Sequence, residues 1–255
     1  MSFTNRFFDG SEEQEAFLPP QPEQKDQFEN SFELVNDDDL AAHLQIAQYG
    51  HFELTDAVRP AFDLKIKPSQ GYRHDVYVDE ETGARVPAIM ASASKEILFP
   101  LFMDLVQRLG TVVDVVLETS HDAEAGAHTD LYREHIDMPV LGSTLWDFED
   151  LLTNDGCTGI AVLNPNTPQE IQFDEHKLLI IYGSPLEHFE FLLESRGVTC
   201  QPNMQFITEA EHIHSSTEDF KRRFNVLRTG LGLDGSSEPG CDQEGGYDQD
   251  FQGMA

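Results

Sequence analysis

Cysteine is scarce in this 255-residue chain: Cys157, Cys200 and Cys241 are an odd number at wide spacing. That pattern supports neither a disulfide framework nor a CxxC zinc pair. Bases are scarce too, 16 Lys and Arg against 47 Asp and Glu, for a formal net charge of −31. A field of that sign repels nucleic-acid phosphates and anionic lipid headgroups and speeds encounters with basic molecules. Binding to nucleic acid or to a membrane surface is therefore not expected, and a basic protein is the expected partner. No stretch approaches the roughly 18 apolar residues of a membrane helix, and the first residues lack a basic segment followed by an apolar one. A reducing cytoplasm is the expected location. Neither G-x-G-x-x-G nor G-x-x-x-x-G-K-[ST] occurs, so nucleotide folds built on those loops have no support and no cofactor is expected from a motif.

Apolar residues make up 39% of the chain and include 18 Phe, enough for a sizeable core. The charge is uneven. Residues 1–40 hold 11 acids and 2 bases, residues 234–255 hold 6 acids and no base, and 30 acids face 14 bases in between. Both ends are rich in polar residues and short of apolar periodicity, too little to offset the entropy of ordering. They read as a disordered acidic arm over 1–40 and a disordered acidic tail over 234–255, with Phe7, Phe8 and Phe17 as possible docking points. The folded domain is expected over 41–233.

Within it the order of elements recurs. In the first unit, about 73–152, HDVYVDEETGARVPAIMASAS reads as a hairpin, and KEILFPLFMDLVQRLG as a helix that Gly110 closes and Pro100 delays or kinks. TVVDVVLETSH then reads as a β-branched strand buried on both faces, and MPVLGSTLWDFEDLL as a second helix. In the second unit, about 158–232, two strands end in KLLIIYG, and a helix follows with Ser184 as N-cap, Pro185 at its first position, Glu187 completing a capping box and Gly197 as stop. MQFITEAEHIH reads as a strand, and a last helix is capped by Ser216 and Asp219. The expected fold is α/β or α+β: two tandem β-β-α-β-α units, an internal duplication, forming one pseudo-symmetric mixed-sheet domain. TVVDVVLETS should then lie over NMQFITEAEH.

EAEHIHSS raises the question of a metal site. Side chains alternate along a strand, so His212 and His214 share a face at a strand end, and two imidazoles can chelate a zinc-like ion. The matching strand of the first unit ends in Glu118 and His121, and His128 and His135 lie in a stretch read as a loop able to fold over them. The candidate metal ligands are His121, His212 and His214, with zinc as the ion. The competing role is a polar strand end feeding the cap at Ser215 and Ser216. Cys157, in NDGCTG, reads as part of a turn rather than a nucleophile, and Ser184 as a cap. KRRF at 221–224 is the one basic cluster, with Lys221 and Arg222 placed to pair with Glu218 and Asp219. No residue is assigned a catalytic role. The leading expectation is a non-catalytic protein-binding or regulatory module; the alternative is a His-based metal-binding enzyme or sensor.

Overall fold

The computed structural model describes residues 31–32, 35–79, 83–122 and 128–233. The acidic tail and most of the acidic arm, with Phe7, Phe8 and Phe17, lie outside the described residues. Within 1–40, the first helix α1 (Asp37–Leu44) already begins; Asn36 caps it by accepting from the Asp39 N–H at 2.9 Å.

The β-rich runs build one seven-stranded sheet in the order β4 (Gly71–Val78), β5 (Arg85–Ser92), β10 (Leu179–Tyr182), β9 (Glu170–Phe173), β8 (Thr158–Leu163), β6 (Val112–Thr119) and β7 (Thr129–Asp137). Every pair in it is antiparallel, not mixed as expected. The β4–β5 hairpin lies where the sequence put it. β6 is the buried β-branched strand, with Val113, Val115 and Leu117 directed into the main core and Val116 onto the opposite face beside Ala161 and Leu163. Residues 129–137, read as loop, form β7 and close that edge.

Helices α2 (Lys95–Val106), α3 (Met138–Asp147), α4 (Glu149–Asn154), α5 (Glu187–Ser195) and α6 (Glu218–Gly230) supply the apolar side chains that cover the core face. α2 does not start late. It runs through Pro100, which sits one turn in and costs a single backbone hydrogen bond. Its Leu98, Phe102 and Leu105 are buried, and the Phe102 ring lies 5.2 Å from that of Phe173 on β9. Burial of each such side chain stabilises by roughly 1.5–3 kcal/mol.

Two caps differ from expectation by one or two residues. α5 is preceded by Leu186, not Ser184, because the chain first turns off β10 at Gly183, where φ is 109° and a Cβ would meet the Pro168 carbonyl oxygen at 1.9 Å. α6 is capped by Thr217, whose hydroxyl accepts from the Phe220 N–H at 3.2 Å. Thr217→Ala is expected to cost about 1 kcal/mol in chemical denaturation.

The two proposed units do not repeat. The second contributes the central meander β8–β9–β10, whereas the first flanks it on both sides. Residues 203–209, matched to β6, form a turn and a short 3-10 helix (Ile207–Glu209) instead of a strand. Their ladder is replaced by side-chain bonds: Glu209 accepts from the Phe206 N–H at 3.2 Å and from Arg73 Nη1 at 2.6 Å, and Arg73 also caps the Met204 carbonyl at 2.5 Å. The strand shrinks to β11 (His212–His214), which pairs with β3 (Val58–Pro60) in a separate ribbon. A second small hairpin joins β1 (Gln48–Tyr49) to β2 (Phe52–Glu53). Among the described residues no helix is long and apolar enough to cross a membrane.

Candidate metal centre

The registers Thr119 to Thr158, Ile160 to Phe173 and Phe173 to Leu179 bring the end of β6, the start of β8 and the β9–β10 turn to one end of the sheet. The β3–β11 ribbon lies across that end. It is anchored by Arg59, whose buried guanidinium donates to the carbonyls of Leu44 (2.9 Å), Val58 (2.9 Å) and Thr55. Ser215 N–H to Ala57 O extends the ribbon's ladder, and Gly156 N–H to Ser215 O joins the ribbon to the α4–β8 corner, both 2.8 Å.

The alternation expected of His212 and His214 holds: their ring centroids lie 5.1 Å apart. The third ring beside them is His176 of the β9–β10 turn, 4.8 Å from His212 and 4.7 Å from His214. One nitrogen from each of these rings lies within 4.8 Å of the other two. His121 is not in this group; it stands with Asp155 and Cys157 in a second one. Of the other residues considered, Glu118 projects onto the opposite face over Gly159, His128 lies 3.6 Å from Glu175, and His135 sits exposed on β7. Lys221, Arg222 and Arg223 are held by Asp122, Asp219 and Asp150, so the basic cluster is consumed in ion pairs.

Each ring of the three-histidine group is oriented through Nδ1. His176 Nδ1 faces Asp174 Oδ2 at 2.9 Å, His212 Nδ1 the Ala210 carbonyl at 2.8 Å, and His214 Nδ1 the Gly156 carbonyl at 2.6 Å. These oxygens only accept, so Nδ1 carries the proton and each neutral ring keeps its lone pair on Nε2. Such an outer partner on the far nitrogen accompanies metal-ligating histidines. Asp174 does double duty, since its other oxygen accepts from the Leu178 N–H at 2.7 Å and fixes the turn that carries His176. Burial holds the His214 imidazole below its usual range, aided by the neighbouring rings. Burial also pushes His176 down, but the Asp174 and Glu175 carboxylates outweigh it and the ring titrates higher than usual.

Lys177, next in the chain, is buried and takes a left-handed φ of 64°. Its Nζ donates to the Thr158 carbonyl at 2.7 Å, and burial lowers its pKa to about 8. A small, mostly apolar cleft opens beside His176 and Lys177, walled by Phe52, Leu54, Leu178 and Phe206.

In the second group Asp155 is fully buried and accepts from Thr158 Oγ1 at 2.5 Å. Burial works against its ionisation, and His121, Ser216 and Thr158 outweigh it, holding the carboxyl below its usual range. Burial raises the Cys157 thiol. The sequence reading passed over His176 and Asp155. The pointer to His176 was local: FDEHK places an acid two residues before a histidine at the end of a strand.

Three imidazoles with fixed tautomers can hold a borderline transition metal and leave a fourth position for water or another ligand. Neither protein-family models, nor curated proteins, nor solved structures match the chain.

Proposed function

We propose that this protein binds a divalent transition metal ion of the zinc type through His176, His212 and His214. The observation that carries the reading is the common orientation of the three rings: every Nδ1 is committed to an oxygen, which directs the remaining lone pairs to Nε2 of side chains already grouped within 4.8 Å. An imidazole trio selected only to finish a strand and start a helix has no need of three such partners. The open fourth position suits either a bound water or a ligand entering from the cleft beside His176, as in a metal-dependent enzyme or sensor. The alternative reading, a binder of a basic protein, rests on the net charge of −31 and not on a particular surface.

The test is a Zn2+ titration of metal-free protein. A hundredfold excess over Kd is expected to raise unfolding free energy by about 2.7 kcal/mol for the site. The variant His212→Ala/His214→Ala should melt near the wild type without metal and bind one equivalent fewer. Unchanged stoichiometry in that variant, with an intact fold by circular dichroism, would leave the three rings as a strand end only.

A further inference from the structure

From the second group we infer that the chain carries another metal site, of mixed sulfur, nitrogen and oxygen donors, formed by His121, Asp155 and Cys157. The three residues come from two elements joined at the end of the sheet: His121 follows β6, and Asp155 and Cys157 flank the corner that leads into β8. One ligand atom from each lies within 4.8 Å of the others. The position is sheltered, with Asp155 at 0% and the His121 side chain at 6% exposure, and the Phe224 ring of α6 stands 5.7 Å from the imidazole.

The contact between His121 and Asp155 is what points to an ion. His121 Nε2 lies 2.9 Å from Asp155 Oδ2, yet the two are out of hydrogen-bond alignment, and Nε2 is buried without a hydrogen-bond partner. An orphaned buried polar atom costs about 1–3 kcal/mol and calls for an explanation. Two donors of one tetrahedral ion with bonds of about 2.0–2.1 Å sit roughly 3.3 Å apart, and their lone pairs aim at the ion rather than at each other. The 2.9 Å separation is one an ion pair also has; the misalignment is what matches donors aimed at a common ion, which on entering would part the two atoms by about 0.4 Å. Asp155 is oriented from behind by Thr158 Oγ1 at 2.5 Å, the kind of outer partner that fixes a ligating carboxylate. Cys157 is only partly buried, which leaves a side for the ion to enter and for a fourth ligand. A thiolate with imidazole and carboxylate suits Zn2+ or Co2+ rather than Mg2+ or Ca2+.

The site does not depend on the three-histidine centre, though the two share a corner: Gly156, between Asp155 and Cys157, gives its carbonyl to His214 Nδ1. The same probe, Co2+ added to metal-free full-length protein, distinguishes them. A thiolate-to-cobalt charge-transfer band in the near ultraviolet is expected with wild type and with His212→Ala/His214→Ala. Cys157→Ser should abolish the band and bind one equivalent fewer, whereas Cys200→Ser and Cys241→Ser should keep it. His121→Ala should weaken Co2+ binding at this site about tenfold or more, read from the same band; Cys157→Ser covers the case in which the alanine variant does not fold. Absence of the band at saturating Co2+, or its survival in Cys157→Ser, overturns the proposal whatever the three-histidine centre does.

Discussion

Gly156→Ala is expected to lower the unfolding free energy by about 3 kcal/mol or more and to disturb the three-histidine centre with it. A Cβ at this position would stand 2.3 Å from the Ala57 carbonyl oxygen, 2.9 Å from that of Ser215 and 3.0 Å from the Ser215 nitrogen. All three atoms are backbone, so no side chain can swing aside. They also belong to the 2.8 Å bond from the Gly156 N–H to the Ser215 carbonyl, which joins the α4–β8 corner to the β3–β11 ribbon, and to the 2.8 Å bond from the Ser215 N–H to the Ala57 carbonyl, which closes the ribbon beside it. Making room means parting the ribbon from the corner, and the Gly156 carbonyl that orients His214 moves too. Urea denaturation with and without Zn2+ reads both effects: a lower midpoint in metal-free protein and a smaller gain on adding metal. A loss below about 1 kcal/mol would show that the corner and ribbon are looser than this packing implies.

Glu170→Gln is expected to act in the opposite sense, raising stability at pH 8 by as much as about 3 kcal/mol while leaving it unchanged near pH 4. Glu170 is 8% exposed on β9, with Leu163 and Tyr182 as its cross-strand neighbours. Burial pushes its pKa up to about 7, and the 2.6 Å bond from Gln172 Nε2 offsets only part of that. A carboxyl raised in the folded state carries no penalty while both states hold the proton. Between about pH 4.5 and 7 the unfolded chain gives up a proton that the folded chain keeps, so stability falls as pH rises, and it levels off above about 7. Glutamine retains the acceptor for Gln172 and removes the ionisation. Glu118, on the same face of the sheet and also raised to about 7 by burial with Asp130 and Asp174 nearby, adds a slope of the same sign that the variant does not cancel. Denaturation at pH 4 and pH 8 separates the cases: an equal gain at both values would trace to packing, not to the proton.

Local chemistry made a good part of the molecule legible. The run VVDVVLET is β-branched and mostly apolar, and it became an interior strand, because such a segment is stable only with its two edges paired, here by β7 and β8, and most of its side chains buried. The helical spacing of Leu98, Leu101, Phe102 and Leu105 outlasted Pro100, since burying those side chains outweighs one missing hydrogen bond. That His212 and His214 share a face follows from the two-residue period of a strand, whatever the strand pairs with.

Strand order and the third histidine were decided by tertiary structure alone. Nothing in the separate patterns says that β8, β9 and β10 insert between β5 and β6, because those registers are long-range pairings between similar apolar strands. The resemblance between the end of β6 and the entry to β11, each an acid followed by histidine, reflects similar local composition in segments that the fold treats differently: one pairs in the large sheet, the other leads into a ribbon. Sequence periodicity places side chains relative to their own backbone, so it could align His212 with His214. It could not foresee that the β9–β10 turn, held by Asp174, would bring His176 beside them, nor that His121 would be drawn instead to the buried carboxylate of Asp155.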